Sequence, residues 1–475
     1  MIKRSFIPPQ IFRPALDRWQ GEGGYRKMLK VALPLIFSTG AMMILQFVDR
    51  MFLTWYSSEA VAASLPAGVV TFTIMSFFIG IGTYVGTFVA QYYGAEQEER
   101  IGPIVWQGMY VALAAGLLHL GLLYLAEPIF RSIGHEPLVQ EYEVIYFQII
   151  CLAAGPQVAS AVIAGFFSGR GETWPVMWVN VLGIIVNLIL DYALIFGHWG
   201  FPEMGIKGAA IATLIANCLT FFVFLALIFR GPLRRRYHTL SGWALNPSLF
   251  IHLLRFGAPN GVQFFLEHIG FSLFILLVGR LGTTALAATV VAYNINALAI
   301  APMFGCGVAV SVLVGQYIGQ DRPDLAEKSV YSGFHVTFTY TAIVAATYLL
   351  APEIFIKPFA AQSNPLEFAP LRAMTLDLLK IGAIYVMFET MNIVFSSAIK
   401  GAGDTRFAMN VTIILSILIL VVMTYVFLSI LNRGIMTAWG IAAVYASNMG
   451  LVFFIRFRKG KWKEMRVIEA GPVKV

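Results

Sequence analysis

The chain has 475 residues, of which 58% are hydrophobic and only 12% charged, with a formal net charge of +8. Soluble domains carry roughly 25% charged residues, so the composition excludes a water-soluble globular fold. Stretches of about 20 apolar residues suffice to cross a bilayer, and the sequence holds twelve of them.

In chain order, residues 1–27 carry Pro8-Pro9, Trp19 and scattered charge without an apolar core. They are not expected to be a cleavable signal peptide, and Ile11 to Trp19 has the amphipathic look of an interfacial segment. Helices are predicted at 28–54, 62–91, 104–126, 138–168, 176–197 and 205–230. A polar linker over 231–249 contains Arg234-Arg-Arg236, and helices then follow at 250–280, 286–317, 326–351, 374–400, 405–431 and 436–457 before a polar tail, 458–475. The expected fold is an all-α integral membrane protein of two six-helix lobes, 28–230 and 250–457, related by a pseudo-twofold axis.

The two lobes repeat one another. Pro34 recurs as Pro259, and at the same shift of 225 Ala60-Val-Ala-Ala63 lies over Ala285-Leu-Ala-Ala288, and Gln91-Tyr-Tyr-Gly94 over Gln316-Tyr-Ile-Gly319. Gly169-Arg-Gly-Glu-Thr173 lies over Gly401-Ala-Gly-Asp-Thr405, the shift having grown to 232. A duplicated half-transporter has this period, with the substrate path between the copies.

Basic residues set the orientation. With the N-terminus inside, 25 of the 33 Lys and Arg residues fall in cytoplasmic segments and 8 on the other side, so both termini are expected in the cytoplasm. Arg234-Arg-Arg236 then reads as a topology signal meeting anionic lipid, not a nucleic-acid patch. Cys151, Cys218 and Cys306 lie far apart in apolar segments, and no two histidines share a helix at ligand spacing. Neither a disulfide set nor a metal site is expected. The glycine turns lack the Lys-Ser/Thr ending of a phosphate loop. With no nucleotide domain, catalytic constellation or cofactor expected, transport would use an ion gradient.

Ionisable groups cost on the order of 2.5–3.5 kcal/mol at the centre of a membrane helix, so those retained are functional candidates. Four stand out: Asp49, Asp191, Glu267 and Glu389. Asn260, Gln263 and Glu267 form one polar stripe, and Tyr385, Glu389, Asn392 and Ser396 another. Asn187 lies one turn before Asp191, and Gln46 shares a face with Asp49. The competing reading is interhelical glue, worth about 0.6 kcal/mol per contact, which suits Asn392 and Ser396 better than a carboxylate. The repeat sharpens the contrast: Glu267 lies over Met42, Asp49 over Phe274, Glu389 over Gln157, and Asp191 over Met423. The scaffold is duplicated and the charges are not.

These residues resemble the multidrug and toxic compound extrusion (MATE) family, from Leu29 to Phe457. Val48-Asp49 is similar to that family's Val-Asp signature, and Gly169-Arg-Gly171 and Gly401-Ala-Gly403 to its glycine turns. Asn187-Leu-Ile-Leu-Asp191 resembles the amino-terminal pair of archaeal-type and DinF-type members, with Thr213 in the place of a helix-six threonine. Glu267 and Tyr385 resemble the cation-site residues of NorM-type members, where Glu389 replaces an aspartate. Phe271 and Leu45 depart from an acid and a tyrosine found in some relatives. Pro34 lies fifteen residues before Asp49, a spacing at which members bend helix one on protonation; the simpler reading is that Pro34 and Pro259 only open their helices.

The resemblance implies an antiporter of the cytoplasmic membrane, acting as a monomer among lipids, in which Na⁺ or H⁺ drives efflux of amphipathic, often cationic compounds. Oxygen ligands from Glu267, Glu389 and Tyr385 suit Na⁺; carboxylates also bind protons, and Asn187 with Asp191 could form a proton site. The alternative is a flippase of lipid-linked oligosaccharide precursors, whose cavity should carry Arg or Lys for pyrophosphate; here the helix centres carry acids.

Overall fold

The computed structural model describes residues 18–360 and 365–469, so most of the interfacial segment predicted for Ile11 to Trp19 lies outside it. Among the described residues, twelve helices are long and apolar enough to cross a membrane. The first lobe contains α1 (Tyr25–Tyr56), α2 (Ser58–Gly94), α3 (Ile101–Leu122), α4 (Pro137–Gly169), α5 (Thr173–Phe196) and α6 (Gly205–Ile228). The second contains α7 (Pro247–Gly279), α8 (Thr283–Gly319), α9 (Pro323–Leu350), α10 (Pro365–Ala402), α11 (Thr405–Leu415) and α12 (Ile435–Arg458).

Local chemistry sets many of the boundaries. Ser57 caps α2 by accepting from the Ala60 N–H at 3.0 Å, and Asn246 caps α7 through the Leu249 N–H at 3.1 Å. Proline opens α4, α7 and α9, where its missing N–H would have had no partner anyway. Gly171 and Gly403, with φ of 80° and 120°, turn the chain after α4 and α10, a conformation that a side chain resists.

Three helices differ from expectation. α3 ends at Leu122 and resumes after a 3₁₀ turn as a short amphipathic helix, Ala126–Ile133. α10 starts at Pro365, nine residues ahead of the predicted 374. α11 is α-helical only to Leu415 and runs on through π-helical turns over Ser416–Met423 and Val426–Ile430. Hydrophobic periodicity finds a span but cannot sense a change of hydrogen-bond register inside it.

The packing is twofold in pattern. α2 packs on α4 as α8 does on α10, and the lobes meet where α1 crosses α8 and α2 crosses α7. Small residues let these backbones touch. A Cβ on Gly80 would lie 2.6 Å from the Gly261 Cα, and one on Gly305 would lie 2.6 Å from the Ile36 N. The repeat shift of 225 carries Gly80 onto Gly305 and Ile36 onto Gly261, so these are equivalent crossings. A second pair closes the end of the bundle where α1 begins and α12 ends: a Cβ on Gly94 would meet the Gln316 O at 2.0 Å, and one on Gly319 the Gln91 O at 2.2 Å.

Side chains bolt the same end. Gln91 donates to the Gly401 O at 3.0 Å and accepts from the Val467 N–H at 2.8 Å; Gln316 donates to the Gly169 O at 2.9 Å. The Tyr84 hydroxyl donates to the Lys400 O at 2.8 Å. The segment after α12 straps across both lobes: besides Gln91 of the first, it meets the second through the Val467 O on His252 Nε2 at 2.6 Å and Lys463 on Glu327 at 2.6 Å. Among the described residues, hydrogen bonds between the lobes lie only in the half of the bundle toward this face. The lobes are therefore joined by hydrogen bonds toward one end.

Candidate functional site

Two acidic clusters sit inside the lobes, each assembled from helices distant in sequence. In the first lobe α1 supplies Asp49 and α5 supplies Asp191, whose carboxyl groups are hydrogen-bond neighbours. Asp191 is buried, and one buried oxygen of each carboxyl has no protein partner. With its amide oriented to satisfy its neighbours, Asn187 donates to Asp191 Oδ2 at 3.3 Å and accepts from the Thr213 N–H at 3.2 Å. Two carboxyls in contact repel when both are ionised, so a shared proton or a bound cation relieves the pair. Gln46, one turn before Asp49, is exposed.

The second cluster lies between α7 and α10. Gln263 donates to Glu267 Oε1 at 2.9 Å, and Asn392 donates to Glu389 Oε1 at 3.1 Å. Each carboxylate thus keeps one oxygen free of these bonds. Tyr385, one turn before Glu389, lies in the electrostatic field of both acids. Gln263 and Asn392 each serve the glutamate of their own helix, and the two glutamates act on each other.

Asn260 belongs elsewhere. Its amide donates to the Gly80 O at 2.6 Å, joining α7 to α2 at the crossing, where it holds the lobes together. Pro34 and Pro259 lie inside continuous helices, both buried beside those crossings. Just after Pro34, Thr39 Oγ1 lies 2.9 Å from the Ala301 O of α8, a bond between lobes. Ser396 spends its hydroxyl on the Ile393 O, within its own helix.

Sequence reasoning missed several members. Tyr146 on α4 stands in the field of both Asp49 and Asp191. Tyr445 on α12 faces Glu267 and Glu389 and shares a 3.0 Å hydrogen bond with Ser416, at the start of the π-helical turns. Tyr293 on α8 stacks on Phe271 at 4.3 Å and lies in the field of Arg50 on α1 of the other lobe. One of these was findable, because the shift of 232 carries Thr213 onto Tyr445. The same scaffold position serves each lobe's acids.

Twelve spans in two like-oriented repeats, with carboxylates buried between helices, define a multi-pass membrane transporter, not an enzyme. The MatE family profile matches residues 34–193 and 259–426, one copy in each lobe and each starting at the repeated proline, so the chain belongs to the MatE family. It is 25% identical over 458 residues to a probable multidrug resistance protein NorM from Thermotoga maritima, covering 94% of this chain and 95% of that one. It is 28% identical to the multidrug resistance protein PmpM of Pseudomonas aeruginosa, covering 82% of this chain and 80% of the relative. A crystal structure of MATE in complex with MaL6 superposes with a TM-score of 0.85 at 19% identity, covering 95% and 99% of the two chains. A MOP superfamily transporter from Pyrococcus furiosus gives 0.84 at 20%, covering 94% and 98%; that work describes a reversed polarity of its binding pocket.

Proposed function

We propose that this chain is a cation-coupled antiporter that expels amphipathic, often cationic compounds across the cytoplasmic membrane, with both termini in the cytoplasm. The observation that carries the proposal is the pair of buried acidic clusters, Asp49 with Asp191 and Glu267 with Glu389, one in each lobe of a bundle bolted at a single end. The names of the NorM and PmpM relatives support the cargo class.

Glu267, Glu389 and the Tyr385 hydroxyl supply hard oxygen ligands that suit Na⁺. Asp49 and Asp191, with Asn187 fixing one oxygen, suit a shared proton. A cation from outside and a cationic cargo from inside compete for the same negative charge. Antiport follows if each binds better to a different one of the two end-open states. Phe and Met side chains around the path repack about cargoes of different shape. The protein acts as a monomer surrounded by lipid and needs no cofactor beyond the coupling ion.

The test is ethidium efflux from proteoliposomes under imposed Na⁺ or H⁺ gradients, applied separately. Transport at fixed pH that stops when choline replaces Na⁺ assigns Na⁺ to the cycle; undiminished transport assigns the proton. Ethidium movement that ignores both gradients overturns the antiport reading. Movement of a lipid-linked oligosaccharide instead supports the flippase.

A further inference from the structure

One basic side chain reaches the second cluster from the bolted end. Lys400 is two residues from the end of α10, where a lysine ordinarily extends its ammonium outward to the membrane surface. Here it does the opposite. Helical side chains lean toward the helix N-terminus, and α10 runs toward the bolted face, so Lys400 leans inward. Its Nζ stands 5.8 Å from the centre of the Phe264 ring on α7, and Phe264 is one turn before Glu267. Lys400 lies in the electrostatic field of Glu267, yet among the described residues it forms no ion pair. Its backbone is fixed: the Lys400 O accepts from Tyr84, and the next carbonyl, that of Gly401, accepts from Gln91.

We propose that Lys400 is a tethered counter-cation of the Glu267 and Glu389 site, an ammonium that a mobile cation or a cationic cargo must displace to bind. An ammonium on a flexible four-carbon stem can approach Glu267 when the site is empty and withdraw over Phe264 when it is filled. It keeps the carboxylates partly neutralised between the departure of one ligand and the arrival of the next. It also weakens binding of any single positive charge and favours cargo that pairs its amine with an acidic group. The consequence for coupling rests on the antiport reading; the pairing of Lys400 with Glu267 does not.

The test is a double-mutant cycle on purified full-length protein: wild type, Lys400→Met, Glu267→Gln and the double variant. It is read by thermal midpoint and by affinity for tetraphenylphosphonium, a permanent monocation. At an effective dielectric constant near 20, charges about 12 Å apart already interact strongly enough to shift binding about tenfold. Lys400→Met should therefore bind the probe about tenfold more tightly, Lys400→Arg should resemble wild type, and the gain should be clearly smaller when Glu267 is Gln. The midpoint shifts should be non-additive. Additive midpoints, or an equal gain with and without Glu267, overturn the proposal. Non-additive midpoints in a protein that moves no drug would uphold the pairing and refute the antiport reading alone.

Discussion

Removing the Gln91 side chain should tip the protein toward opening at its bolted end. This side chain is fully buried and joins three parts of the chain: α2, the Gly401 carbonyl of α10 and the Val467 N–H of the strap. Gln91→Ala leaves that donor and that acceptor buried without a partner, at about 1–3 kcal/mol for each group left unsatisfied. When the face opens, water satisfies both, so the loss falls on the closed form alone. Taking about 3 kcal/mol for the two together, the equilibrium shifts by on the order of a hundredfold. Gln316→Ala breaks a single bond, to the Gly169 O, and should shift it less.

Spin labels at Glu99 and Asp324, exposed positions on opposite lobes beside this face, would report the change after replacement of Cys151, Cys218 and Cys306. Gln91→Ala should convert a minor long-distance population into the dominant one. Identical distance distributions in wild type and both alanine variants would show that these glutamines do not hold the face shut.

Three further outcomes are expected. Glu389→Gln should abolish gradient-driven efflux while leaving the protein folded and inserted; normal transport by that variant would remove Glu389 from the coupling site. Pro34→Ala should leave drug binding intact but slow release, and a spin label on the outer half of α1 should lose its pH-dependent movement in both Pro34→Ala and Asp49→Asn. Asp404→Ala should lower stability by about 3 kcal/mol, read as a fall in thermal midpoint, because it strands Arg456 from its 2.7 Å partner in a largely buried ion pair.

The span count and the duplication were legible because each rests on a signal local to the sequence: about 20 apolar residues, or a proline and a glycine turn recurring at fixed shifts. The carboxylates were legible because a charge is conspicuous in an apolar helix. What each residue faces was not. Asn260 and Gln263 share a stripe, yet one bonds across to Gly80 and the other to Glu267 in its own helix, a split set by where α2 crosses α7. Lys400 counted as one more basic residue at a helix end, because sequence does not show that Phe264 and Glu267 of α7 lie beside it. Tyr146 and Tyr445 resemble lipid-facing filler until the tertiary fold sets them beside acids.

The mid-bundle glycine crossings give the lobes the mechanics of a seesaw. Backbones in contact at Gly80–Gly261 and Ile36–Gly305 resist sliding but can roll. On α2 the fulcrum at Gly80 leaves an arm of about 33 Å toward Ser58 and about 21 Å toward Gly94, at roughly 1.5 Å per residue. α8 is divided at Gly305 in the same proportion, between Thr283 and Gly319. For rigid arms, a gap opened at the bolted end is matched by a closure about 1.6 times larger at the far end.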